Sequence, residues 1–267
     1  MIQIKTTIDS EIMILTQRDI WPRKFREEKN KPQLFDGLGE DAFEFLLQNS
    51  VLQDYESGRL LVQQGDIPTH VYFIVEGALK TLRTDEEGHE TTIRMLEAGD
   101  TCMDAVIFMG GPSPIAVQVV KNSRLLLIPD TIVKSLVLKD AQFANNLLRI
   151  VTRHYKNALH QIDAMNAKTP LQRVGYYFLS RHLENGHDRL EFELPFKKSL
   201  IANYLGMTPE TFSRTLKQMK DMGIDVEDDK IRMRDAYTLC HFCDSDTAAM
   251  CSSHNKDDCP QCPIHRH

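Results

Sequence analysis

The sequence holds no apolar run approaching the ~18–20 residues that a membrane-spanning helix needs, and no membrane partner is expected. It also lacks a basic-then-apolar leader: Met1-Ile2-Gln3-Ile4-Lys5-Thr6-Thr7 soon meets an acid at Asp9, which argues against a secretory signal and makes the cytoplasm the expected compartment. Positive charge is not in excess, with 32 Lys and Arg against 38 Asp and Glu and a net charge of −6. Any nucleic-acid surface must therefore be a local patch. There is no nucleophile elbow, no His-Glu-x-x-His pair and no phosphate-cradling Gly loop, so an enzyme is not expected. Cysteine is missing from the first hundred residues. Cys102 stands alone, while Cys240, Cys243, Cys251, Cys259 and Cys262 crowd the last 28 positions, and in a reducing compartment such clustering favours metal ligation over disulfides.

What is present reads as an ordinary globular chain, 42% hydrophobic and 26% charged, whose 267 residues favour two domains. Residues 1–33 form a weakly patterned arm with a charged stretch from Arg23 to Lys31. Phe43, Leu46 and Leu47 within Glu40–Gln48 have helical spacing. From 51 to 129, short β-rich runs such as Val71–Val75 and Arg124–Ile128 alternate with turn glycines at 58, 65, 77, 88, 99, 110 and 111, which predicts a small antiparallel barrel or sandwich. From Asp140 to Lys168 neither Gly nor Pro occurs, which predicts a long helix. Phe143, Leu147, Ile150, His154, Asn157 or Ala158, and Gln161 fall on one stripe of it at steps of three and four, a spacing that suits a dimer seam or packing on the chain's own domain. Thr169-Pro170 marks the break between domains. A helix over Leu171–His182 and a strand over 191–196 follow.

The sharpest local signal runs from Phe196 to Arg214. Gly206 suits the left-handed residue that closes a short helix. Thr208 is a good N-cap and Pro209 a good first residue for the next one. On that second helix Phe212, Leu216 and Met219 form the apolar stripe. Glu210, Ser213, Arg214 and Lys217 project from the other face at the spacing a helix in the major groove needs, and Thr208 and Thr211 stand beside them at its N-terminus as further candidate contacts. A guanidinium can fork onto guanine O6 and N7, and a carboxylate can accept from cytosine N4. Between Lys197 and Arg234 eight basic residues face six acidic ones, so the patch is modest. A protein-binding face remains an alternative, although an interface would favour aromatic anchors.

Glu210-Thr211-Phe212-Ser213-Arg214 after Leu205-Gly206-Met207-Thr208 resembles the recognition helix of the CRP/FNR family, and its Glu-x-x-Ser-Arg form is similar to the FNR branch. Leu34–Leu38, Gln64-Gly65-Asp66, Tyr72–Lys80 and Gly99-Asp100 resemble that family's sensor domain. The resemblance covers residues 34–239 and implies an α+β chain: a cyclic-nucleotide-binding-like β-roll (34–139), a dimerisation helix (140–168), a winged helix-turn-helix (169–239) and an added Cys-rich tail (240–267). It implies a homodimer bound to double-stranded DNA, with Glu210, Ser213 and Arg214 reading a TTGAT-like half-site and its inverted copy, and contacts to RNA polymerase if the protein activates. Pro209 replaces an Arg that CRP-like members carry, which favours FNR-like sites.

The signal is less legible. Cyclic-nucleotide binders of the family use a Gly-Glu pair and, about ten residues on, an Arg-Ser pair. Here the stretch reads Gly99-Asp100-Thr101-Cys102-Met103-Asp104 and then Gly111-Pro112-Ser113-Pro114-Ile115-Ala116, with no cation for a phosphate, so cAMP is disfavoured. His154 invites a haem reading, against which stands the commoner packed histidine. Cys102 reads as a buried structural residue that could complete a cluster. The tail, Cys240-x2-Cys243-x7-Cys251-x7-Cys259-x2-Cys262 with His241, His254, His265 and His267 among them, suits an iron–sulfur cluster or zinc, with an unliganded tail as the third reading. The family's redox and gas sensing favours the cluster.

Overall fold

The computed structural model describes residues 31–185, 190–235 and 237–243. The arm before residue 31 and the tail after Cys243 lie outside them. The chain forms two compact units that divide between Asn157 and Ala158, inside a long helix.

The first unit begins with a 3-10 turn, Gln33–Phe35, and helix α1, Glu40–Gln48. Strands β1 (Val51–Tyr55), β2 (Leu60–Val62), β3 (His70–Thr84), β4 (Glu90–Glu97), β5 (Thr101–Cys102) and β6 (Ala116–Pro129) form one antiparallel sheet in the order β1-β6-β3-β4, with β2 on β6 and β5 on β3. The long partners β3 and β6 pair from His70 with Pro129 to Leu82 with Ala116, with register shifts at Ile74–Leu79 that bend the ribbon into a roll. Gly77 sits at that bend with φ +94°, and a Cβ there would collide with Ser123, so only glycine fits. A short helix α2 (Val106–Met109) separates β5 from β6, and α3 (Asp130–Lys139) follows. The core is apolar: Phe35, Leu46, Phe73, Ile74, Leu79, Val117, Leu125 and Leu126 are fully buried.

Helix α4 runs from Ala141 to Ala167, opened by Asp140, whose carboxylate accepts from the Phe143 N–H at 2.7 Å as an N-cap does. Of the two roles that the stripe's spacing allowed, the structure gives its first half the one within the chain's own domain. Phe143, Leu147 and Ile150 are buried in the chain's own β-roll core, each side chain contributing about 1.5–3 kcal/mol there. Polar groups extend the same attachment. Asn146, fully buried, donates to the Asp36 carbonyl at 2.6 Å, Arg149 meets Asp36 at 3.2 Å and Arg153 meets Asp100 at 3.4 Å. A different stripe is left bare: Leu148 (65% exposed), Tyr155 (66%), Leu159 (49%) and Ile162 (57%) recur at steps of seven, four and three, the heptad spacing of a helix seam.

The second unit holds helix α5 (Pro170–Asn185), strand β7 (Glu191–Glu193), helices α6 (Lys198–Tyr204) and α7 (Pro209–Asp221), and strands β8 (Ile224–Glu227) and β9 (Lys230–Met233), followed by a 3-10 turn, Thr238–Phe242. Helix α5 opens with a capping box: Gln172 N–H donates to the Thr169 hydroxyl at 3.3 Å and Thr169 N–H to the Gln172 side chain at 2.9 Å, with Pro170 at the first helical position. The three strands pair antiparallel in the order β7-β9-β8, forming the wing. The strand expected over 191–196 stops at Glu193 because Pro195 has no N–H to give a ladder; Leu194 instead donates to Asp229 at 2.6 Å, and Leu194 and Phe196 are buried. No described helix is long and apolar enough to cross a membrane.

Candidate nucleic-acid interface and cysteine knuckle

The turn between α6 and α7 is set by backbone chemistry. Gly206 takes φ +64°, Met207 N–H donates to the Ala202 carbonyl and Gly206 N–H to the Asn203 carbonyl, each at 3.0 Å, the paired bonds of a Schellman closure. Two residues after Gly206, Thr208 caps α7, accepting from the Thr211 N–H at 3.3 Å. The second helix therefore starts at a defined angle immediately after the first ends.

Along α7 the sequence's division of faces is only slightly altered. Phe212, Thr215 and Met219 are buried while Leu216 is half-buried. Thr215 tolerates burial because its hydroxyl donates to the Thr211 carbonyl at 2.9 Å. Glu210, Ser213, Arg214 and Lys217 are all exposed and share the outer face. Thr208 and Thr211 stand at the start of this face, but their hydroxyls lie 3.2 Å apart and Thr208 is occupied as the cap. Glu210 is held below the usual carboxylate range by its own backbone N–H and by Thr208, and so presents a charged acceptor.

Charge on this unit is partitioned. On the wing side Lys220 meets Asp225 at 2.9 Å, Arg232 meets Glu227 at 2.9 Å and also Glu191, and Lys230 meets Glu193 at 3.8 Å. These exposed pairs add little stability but cancel charge. Arg214 and Lys217 enter no ion pair among the described residues, so the outer face of α7 carries two unneutralised cations.

Beyond the wing, Leu239 and Thr238 are buried, and the 3-10 turn carries Cys240 and Cys243, with Cys243 N–H donating to the Cys240 carbonyl at 3.0 Å. Cys240 lies within this turn and Cys243 closes its end three residues on, which keeps the two thiols close along the chain. That donor set fits half of a four-thiolate site. The other expected ligands, Cys251, Cys259 and Cys262, lie outside the described residues, and no group of three or more His, Cys, Asp and Glu is placed to hold a metal among the described ones. Cys102 does not join them: it is wholly buried in β5, and burial pushes its thiol up to about 12, the wrong state for a ligand.

In the β-roll, Met103 and Asp104 end the Gly99–Asp104 stretch, which carries no Gly-Glu pair. Met103 is buried at φ +68°, a conformation that a bulky residue seldom adopts. Asp104, also buried, accepts from the Thr101 hydroxyl at 2.5 Å and faces His154 Nδ1 at 3.3 Å. Arg94 reaches across from β4 to His154 Nε2 at 2.6 Å. With Arg94 donating to it, Nε2 is the acceptor and Nδ1–H points at Asp104, so both ring nitrogens are engaged and neither is offered to a haem iron. Ser113 is turned inward, donating to the Ile115 carbonyl at 2.6 Å. Sequence reasoning missed Arg94 and Asp104, whose partnership spans 60 residues of chain from Arg94 to His154; only the missing Gly-Glu pair in that stretch hinted at it.

Residues 52–140 match the cyclic nucleotide-binding domain family and residues 172–242 the Crp-like helix-turn-helix domain family. The anaerobic regulatory protein of Pasteurella multocida (strain Pm70) is 31% identical over 173 residues, covering 63% of this chain and 63% of its own length. The transcriptional activator protein FnrA of Stutzerimonas stutzeri is 25% identical over 193 residues, covering 69% of this chain and 77% of its own. The structure of FixK2 from Bradyrhizobium japonicum superposes with a TM-score of 0.65 at 21% identity, over 73% of this chain and 98% of that one, a likeness of fold. The relatives are regulators rather than enzymes, in line with the expectation from the missing catalytic motifs. With a sensor-type β-roll and a Crp-like helix-turn-helix in this order along the sequence, the chain belongs to the CRP/FNR family of transcriptional regulators.

Proposed function

We propose that this protein is a homodimeric, sequence-specific DNA-binding transcriptional regulator that reads an FNR-like palindrome through α7. The observation that carries the reading is the outer face of that helix, where Glu210, Ser213, Arg214 and Lys217 are exposed together and Arg214 and Lys217 keep their charge unpaired among the described residues. Arg214 forks onto guanine, Glu210 accepts from cytosine, Ser213 serves a base edge or phosphate, and Lys217 meets phosphate. Thr208 and Thr211 set the helix start through the cap bond between them, and the Thr208 backbone N–H is left to meet a phosphate. The bare stripe Leu148, Tyr155, Leu159 and Ile162 supplies the seam for a second copy, which places two recognition helices on inverted half-sites. RNA polymerase is a further partner if the protein activates, and the cytoplasm is its compartment.

The signal we assign to the tail: oxygen, nitric oxide or redox state, sensed through an iron–sulfur cluster held by four of Cys240, Cys243, Cys251, Cys259 and Cys262. Such a cluster, when bound, supplies a centre that oxidants and nitric oxide attack. The chain's own residues would supply the first two thiolates from within and at the end of the 3-10 turn. A cyclic nucleotide is disfavoured because the β-roll's polar groups, Asp104, His154 and Arg94, are spent on one another.

The test is purification without oxygen, with iron, sulfide and zinc quantified, followed by titration of a TTGAT palindrome before and after air. Iron and sulfide with affinity that changes in air supports the reading. Stoichiometric zinc with air-indifferent binding makes the tail structural and moves the signal to the β-roll. Failure to prefer the palindrome over scrambled DNA overturns the function itself.

A further inference from the structure

We propose that Phe242, seated on Gly175 of α5, is the positioning contact that transmits the state of the Cys240/Cys243 knuckle to the recognition helix. The proposal rests on the tail reading above.

Gly175 lies in the interior of α5, where glycine costs about 1 kcal/mol relative to alanine. Its backbone does not need glycine, since it has no positive φ. Its surroundings do: a Cβ built there would fall inside the Phe242 ring. The helix therefore gives up propensity at this one point to let an aromatic ring lie directly on its backbone. Glycine at such a position marks a close approach.

The ring that fills the notch is covalently placed between the two cysteines. Phe242 is the residue before Cys243 and two after Cys240, and the Cys243 N–H bond to the Cys240 carbonyl closes all of them into a single turn. Anything that fixes or frees the two sulfurs moves Phe242 with them. Leu239, fully buried, and Thr238 anchor the other end of the turn, so motion is confined to its cysteine end. Helix α5 also packs against α7, in which Phe212 and Met219 are buried, and close-packed side chains pass displacement from one element to the next. One helix thus touches both the knuckle and the DNA-reading element. By linkage, a metal that holds the turn in one position changes DNA affinity by the factor by which DNA changes metal affinity.

The experiment uses the full chain purified without oxygen, with metal content measured, and compares DNA affinity for the palindrome before and after stripping the metal with ferricyanide and EDTA. Wild type is expected to show about a tenfold difference between the two states, within the usual range of allosteric coupling. Gly175→Ala, which improves helix propensity but evicts Phe242, and Phe242→Ala are expected to retain metal and to bind DNA in the stripped state as wild type does, while the difference collapses toward unity. Variants that retain both metal and the full wild-type difference overturn the coupling and leave the metal reading standing. Wild type that carries no metal overturns the tail reading, and this proposal with it. A second measurement needs no variant: amide exchange in wild type should rise around Gly175 and in α7 when the metal is stripped, and unchanged exchange in both overturns the proposal.

Discussion

Asp104, in the turn after β5, and His154, on the long helix α4, meet with 3.3 Å between Oδ1 and Nδ1, and the contact fastens the helix to the β-roll. Burial pushes the Asp104 carboxyl up, but the hydrogen bond from His154, with the Arg94 charge and the Thr101 hydroxyl behind it, outweighs that and leaves it below its ordinary value of 3.8. A carboxyl lowered on folding contributes stability that is complete above its unfolded value and lost as pH falls through the folded one. Asp104→Asn is therefore expected to cost about 1–3 kcal/mol at neutral pH. The gap from wild type should close as the pH drops below about 4. Urea midpoints across that range check this; a gap that stays constant into acid would contradict it.

The two stripes of α4 make opposite demands. Leu147→Ala, in the β-roll core, should lower stability by about 2–5 kcal/mol and leave the protein dimeric. Ile162→Asp, on the bare stripe, should leave the β-roll's stability unchanged and shift the protein toward monomer. Light scattering after size exclusion separates them, and a monomeric Leu147→Ala beside a dimeric Ile162→Asp would restore the seam first drawn from sequence.

Arg214 and Lys217 share a face but not a task. Arg214→Ala is expected to cost about 1–3 kcal/mol per half-site and to relax preference at one base pair. Lys217→Ala should weaken all sequences alike and reduce the salt dependence by about one phosphate contact per half-site. Anisotropy titrations on matched and mutated palindromes at several salt concentrations distinguish the two. Equal losses on every sequence from Arg214→Ala would remove it from base reading.

Thr208 closes α7 with the bond it accepts from Thr211 N–H. Thr208→Ala should cost about 1 kcal/mol, measured by denaturant unfolding of the helix-turn-helix unit's signal. Thr208→Ser, which keeps the hydroxyl, should recover most of the loss.

The sequence by itself determined the parts governed by local rules. Gly206, Thr208 and Pro209 set the turn and start of α7 because φ, capping and the missing proline N–H depend on neighbours a few residues away. Positive-φ glycines punctuated the β-roll for the same reason, and the Gly-free, Pro-free stretch after Asp140 sufficed to mark α4. Periodicity also showed that α4 had an apolar stripe, but not what that stripe faced: a seam for a partner and a seam for the chain's own β-roll have the same spacing. Only the tertiary structure decided that Phe143, Leu147 and Ile150 turn inward while Leu148, Tyr155, Leu159 and Ile162 are left bare. It likewise brought Arg94, Asp104 and His154 together, and set Phe242 on Gly175. Such contacts join residues far apart in the chain, and no local rule of backbone or spacing can specify them, because they exist only once the elements have packed.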